Sequence, residues 1–319
     1  MTKSRINAYL LLLLVSIIWG VAGPIIKYTL NYFSPQVFLT YRFFLSALVA
    51  FGYFTLYPTT LPKTKGQTRH TMAHSIFTIL FGLGLLFFGF ELTNSLTGTL
   101  LAATGPIFSI LLGAIMLREH VTRQEIAGLF LAISGSLLIT ITADTRVKIG
   151  FLGTAMFGNV LILLSRITDA LGGVSAKFAL KHGMQPIALS HISFVVGFLV
   201  FAVISIAQYG ALGTLREIIH APAVGHLGVL YMSFVSGTLG YAIFNMALQR
   251  IELGEASLFS YLTVLWGAPV AIIWLGDPLT PQFAVGGTII AIGVALAEWK
   301  RRKSRLYNGY GRRRKSVIK

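Results

Sequence analysis

No cysteine occurs anywhere in the 319 residues, which excludes disulfides, thiolate-bound zinc, iron–sulfur clusters and a thiolate nucleophile. Charge is scarce too. Asp, Glu, Lys and Arg make up 11% of the chain while 55% is hydrophobic, against about a quarter charged in an ordinary soluble domain. A chain so poor in polar groups cannot face water on every side, and a bilayer is its expected solvent. Acid is rarest of all, with ten Asp and Glu against 26 Lys and Arg and a net charge of +16. Most of that excess is local: Lys300 to Lys303, Arg305, Arg312 to Lys315 and Lys319 follow directly on an apolar run. A polybasic segment in that place is expected on the cytoplasmic side against anionic lipid, and no nucleic-acid partner is implied. HExxH and a convincing nucleophile set are missing, which leaves an intramembrane enzyme only a distant alternative, and the lack of a nucleotide-binding motif favours secondary active transport. No cofactor or metal is expected.

What the chain does have is apolar runs of membrane length. Crossing about 30 Å of hydrocarbon takes roughly 20 apolar residues in a helix. Cutting at Pro and charge clusters leaves ten such stretches: 7–30, 36–57, 73–91, 95–117, 124–143, 151–179, 187–208, 226–248, 255–275 and 282–299. Lys3 and Arg5 before Ile6 to Ile18 imitate a signal peptide, but the run continues past Trp19 to Leu30 with no small-residue cleavage site, so it reads as an uncleaved first span. Lys and Arg concentrate in alternate connections (Lys3 and Arg5; Lys63, Lys65 and Arg69; Arg118 and Arg123; Lys181; Arg250; the tail), while the other set holds only Arg146, Lys148 and Arg216. The expected topology has both termini in the cytoplasm and an even number of spans in the plasma membrane.

The two halves resemble each other. Gly23, Lys27 and Leu30 recur as Gly173, Lys177 and Leu180, and Pro35 and Phe43 as Pro186 and Phe194. The turn Arg118 to Thr122 recurs as Gly276 to Thr280. Five helices per copy is odd, so the second copy must enter the membrane from the opposite face. The expected architecture is an all-α integral membrane protein of ten transmembrane helices in two inverted five-helix repeats, 1–143 and 151–299, followed by a basic tail, 300–319. Such a pair of halves can open to either side around a midplane site, which suits alternating access.

Several segments in order resemble the EamA-type transporters of the drug/metabolite transporter superfamily. They are Trp19-Gly20 with Pro24 and Lys27, Arg42 after Ser34-Pro35, Leu101 to Pro106, Leu117 to Thr122, Gly128 and Gly135, Ala256 to Thr263, and Leu275 to Thr280. The resemblance covers about residues 7–299. It implies a central cavity lined mainly by helices 1, 3, 4, 6, 8 and 9, with amino acids, other metabolites or drugs as cargo. Two departures stand out: Val264 replaces the proline at the ninth-helix position matching Pro106, with Pro269 five residues later, and helix 6 carries Arg166 and Asp169.

An ionisable group deep in lipid is costly, so it tends to face a cavity or a partner. Arg166 and Asp169 can pair on one helix face and form either a solute or proton site or a packing pair. Lys27, Arg42 and Glu91 share a depth, which suggests an outer gate built on an Arg42–Glu91 ion pair, or side chains that reach separately for the interface. Lys177 and His191 are their inner counterparts. Asn94, Asn159 and Asn245 suit a polar solute, though helix-to-helix hydrogen bonds are their commoner use. Trp19, Tyr241 and Trp266 are deep enough to wall a pocket. Pro24, Pro106 and Pro269 each remove a helix hydrogen bond and can free carbonyls beside a cavity. The expected function is secondary active export of an amino acid or similar small metabolite, with a proton on Asp169 or Glu91 as one route to coupling. A flippase for a lipid-linked group is the alternative. The solute and the oligomeric state are not legible.

Overall fold

Among the described residues the regular structure is helical apart from one pair of two-residue strands, Lys148–Ile149 and Leu152–Gly153, which run antiparallel. The structure, a computed structural model, describes residues 3–58, 61–118, 123–141, 148–149, 152–293 and 296. Its helices are α1 (Lys3–Thr29), α2 (Pro35–Leu56), α3 (Lys65–Leu92), α4 (Ser95–Leu117), α5 (Arg123–Ile141), α6 (Thr154–Lys181), α7 (Pro186–His220), α8 (Ala223–Leu248), α9 (Leu262–Leu275) and α10 (Pro281–Gly293). Seven of them, α1 to α4 and α6 to α8, are long and apolar enough to cross a membrane, and α5, α9 and α10 supply shorter apolar runs. Two compact units form: Met1–Glu119 with Ala143–Pro278, and His120–Thr142 with Leu279–Lys319. The basic tail lies outside the described residues.

Two helices run further than their apolar stretches. The third begins at Lys65, not at 73, because Thr64 and Gln67 form a capping box in which each side chain bonds the other's backbone. The seventh extends to His220 through Gly210, whose φ of 71° breaks the helix and starts a second segment. Hydropathy marks the membrane-crossing part of a helix and is silent about its polar continuation.

Within the larger unit the most extensive packing joins α2 to α7, α1 to α8 and α9, and α6 to α3 and α4. Phe38, Phe43, Phe87, Phe90, Phe194 and Phe201 fill one apolar core, while Leu12, Val174, Leu189, Leu248 and Leu253 belong to a second. Where α1 meets α9, a Cβ on Gly267 would stand 2.4 Å from the Gly20 carbonyl oxygen, so these backbones touch directly. The smaller unit is equally tight at one point: a Cβ on Gly135 of α5 would lie 2.6 Å from the Gly286 carbonyl oxygen of α10.

The halves share irregularities as well as helices. Helices α3 and α8 each contain a nine-residue π segment, Ser75–Leu83 and Tyr231–Leu239, followed by a nine-residue α segment, Gly84–Leu92 and Gly240–Leu248. Helix α4 breaks after Ala102 and restarts at Gly105, with Pro106 in the new first turn where no amide donor is missed. Before α9 the corresponding stretch, Leu258–Tyr261, is a 3-10 turn. The irregularity therefore stays at the matched position although its proline does not, and Pro269 lies inside a helix that runs on through it. Both α4 and α9 end on a left-handed residue, Arg118 (φ 57°) and Gly276 (φ 69°).

Candidate functional site

Backbone groups at helix ends have no water to bond in a membrane, and this chain uses its charges to satisfy them. Lys27 of α1 donates to the carbonyls of Phe90 and Glu91, both at 3.0 Å, at the C-terminus of α3. Lys177 of α6 does the same at the end of α8, donating to Leu248 and Ile251 at 2.5 Å. Asp277 accepts from the Leu96 amide at the start of α4 (2.6 Å), and Glu217 accepts from the Ser34 amide and hydroxyl before α2. Each charge sits at the helix pole of opposite sign.

Arg42, Glu91 and Lys27 therefore do not make the expected outer ion pair. Lys27 is held by carbonyls, with Glu91 and Asp277 near enough to act on it electrostatically. Arg42 points away from both. The residue is 1% exposed and its guanidinium packs over Phe43 and Phe87, with Cζ 5.1 and 5.4 Å from the ring centroids.

That direction leads to a cavity of about 150 Å³ in the larger unit, lined by α1, α3, α4, α6, α8 and α9 with its preceding turn, and by α2 through Arg42. Its aromatic wall is Trp19, Phe90, Tyr241 and Phe244. Trp19 is fixed by donating its indole N–H to the Ser236 carbonyl (3.0 Å) inside the π segment of α8, and by packing 5.1 Å from Tyr241 and 5.2 Å from Phe244, ring to ring. The π segments matter here because a widened turn leaves carbonyls free for side chains; the Ser233 carbonyl likewise accepts from Ser46.

Arg166 and Asp169 face the cavity as an ion pair at 3.5 Å, 13% and 39% exposed, and Arg166 also donates to the Ser165 hydroxyl. Asn245 lines the cavity as well; its amide N–H donates to Ser190 at 3.0 Å and its carbonyl oxygen has no partner.

The other expected residues lie elsewhere. Asn94 is the N-cap of α4, accepting from the Thr97 amide, and Asn159 is buried and accepts from the Thr93 hydroxyl, so neither reaches the cavity. Trp266 packs its Cβ against Gly20, is 39% exposed and donates to Ser16. His191 is buried against Tyr53, 4.8 Å between rings, away from the cavity. Pro24 lies within α1 between cavity-lining Gly23 and Ile26. Among the cavity's ionisable side chains, one was missed: His74 of α3, buried, with Nδ1 3.0 Å from the Gly172 carbonyl oxygen and Nε2 unpartnered. It falls inside the third apolar stretch, so the cost of an ionisable group in lipid was the signal available.

The chain matches the model of the EamA-like transporter family over residues 6–141 and again over 156–299. It is 27% identical over 297 residues to the "Uncharacterized transporter YyaM" of Bacillus subtilis (strain 168), covering 92% of this chain and 94% of that one. It is 28% identical over 296 residues to a "Probable amino-acid metabolite efflux pump" of Salmonella typhimurium (91% and 94% covered), and 26% identical to the like-named protein of Escherichia coli (strain K12) (89% and 92%). A solved crystal structure shares the fold at a TM-score of 0.62 and 14% identity, covering 93% of this chain and 98% of the other.

Proposed function

Since the chain belongs to the EamA-like transporter family and is thus a multi-pass membrane transporter, we propose that it exports an amino acid or similar small metabolite by alternating access across the plasma membrane. The observation that carries this reading is the cavity whose walls come from both sequence halves: Trp19, His74 and Phe90 from the first, Asp169, Tyr241 and Asn245 from the second. A site at the seam of two halves changes shape when either half moves against the other.

Ten spans in two inverted repeats, 1–143 and 151–299, remain the architecture behind that proposal. Three matched features support it: the paired π segments, the paired lysines on helix C-termini, and packing in which α1 meets α8 and α9 as α6 meets α3 and α4. The names of the Salmonella and Escherichia relatives favour efflux over uptake and an amino-acid metabolite as cargo. Asp169 is the carboxylate best placed to couple a proton to the solute, because it lines the cavity and is 39% exposed.

Proteoliposomes loaded with a pool of amino acids, other metabolites and nucleotide sugars test the proposal. Mass spectrometry follows the loss of each compound against protein-free vesicles. Selective loss of one soluble metabolite is the expected result; retention of the whole pool would defeat export of a soluble solute and turn attention to lipid-linked cargo.

A further inference from the structure

The cavity's charges do not balance. Its ionisable lining side chains other than Tyr241 are Arg42, His74, Arg166 and Asp169, and Asp169 is taken by Arg166. Arg42 is left over. Its Nε and Nη1 are buried and donate to nothing, and no carboxylate among the described residues lies within ion-pair distance. The acids that could have served are committed elsewhere: Asp277 to the start of α4 and Glu217 to the start of α2, with Glu91 beside Lys27. On its far side the guanidinium abuts backbone, since a Cβ on Gly237 would lie 3.3 Å from Nη2.

A lone buried guanidinium costs several kcal/mol in desolvation, and an apolar residue would pack against Phe43 and Phe87 at no such cost. For the fold alone Arg42 is a liability. Resting on the transport reading above, we infer that the solute bears a carboxylate that docks on Arg42 while its apolar part lies against Trp19, Phe90, Tyr241 and Phe244. A guanidinium offers two parallel donors that match a carboxylate's two oxygens, and such a charge-assisted pair is strong. Tyr241 lines the same cavity as Arg42. The size agrees: about 150 Å³ suits a benzene-sized group, hence a small amino or organic acid with an apolar side chain.

The purified full-length chain is titrated with four probes, L-leucine, 4-methyl-2-oxopentanoate, L-leucine methyl ester and 3-methylbutylamine, and the binding of each is read by isothermal titration calorimetry. Both acids are expected to bind at least tenfold more tightly than the ester and the amine. Arg42→Gln should bring the acids down to the level of the ester, with Arg42→Lys in between. The solute-free Arg42→Met protein should melt no lower than the parent, because the substitution removes an unpaired charge. Equal binding of acid and ester, no binding of either acid, or a folded Arg42→Gln variant of unchanged affinity would each overturn the inference, and the acid–ester comparison needs no variant at all. The two proposals fail separately. Export of a neutral solute insensitive to Arg42 defeats the carboxylate site and leaves transport standing, whereas carboxylate binding without export from vesicles leaves the site and defeats transport.

Discussion

Two cations one residue type apart reach opposite ends here for steric reasons. Lys27 has a single flexible ammonium that fits between two converging carbonyls, and Arg42 carries a planar group that lies flat on two phenyl rings. The Arg166–Asp169 pair differs from both, being partly exposed and lining the cavity. Asp169→Asn keeps the shape and removes the charge. Its expected effect is at least a tenfold fall in export driven by an imposed pH gradient with little change in Tm; export that still follows the gradient in the folded variant would remove Asp169 as the coupling group. His74→Gln, which keeps a donor for the Gly172 carbonyl but loses the imidazole, should lower solute affinity more than stability, read as a shift in KM with Tm held.

At the scale of the helix, the two lysine caps are matched parts and should behave alike. Lys27→Met strands the Phe90 and Glu91 carbonyls, and Lys177→Met those of Leu248 and Ile251. Each is expected to cost about 1–3 kcal/mol, the penalty for polar groups left unsatisfied in a dry setting, and to show as a lower melting temperature in detergent. The caps are far apart in sequence and share no acceptor, so the double variant should lose the sum of the two. Close helix approach is the other property at this scale. Gly267→Val would drive side-chain atoms into the Gly20 carbonyl, and overpacking of about 1–3 kcal/mol is expected, again read as Tm.

For the whole molecule, the distribution of Lys and Arg expects both termini on the cytoplasmic face. With no native cysteine, single introduced thiols report cleanly. Ser4→Cys and Ser316→Cys should react with an impermeant maleimide only after the membrane is breached, and Arg146→Cys should react in intact cells. Labelling of Ser4 and Arg146 from the same side would break the alternation on which the inverted repeat depends.

The sequence by itself determined the solvent, the class of fold and most helix positions, because the cost of burying charge in lipid is paid residue by residue and leaves a pattern in the chain. It also set Lys27 and Lys177 150 residues apart in like surroundings, and both cap helix C-termini. What it could not decide is which partner each polar group meets. Asn94 caps a helix, Asn159 bonds a threonine and Asn245 faces the cavity, three amides with the same local signal. Arg42 and Glu91 share a depth without sharing a bond, because depth is one coordinate and a contact needs three. Tertiary packing chose those partners: α2 turns Arg42 inward, the end of α3 takes Lys27, and the cavity is left with one positive charge that no described side chain answers.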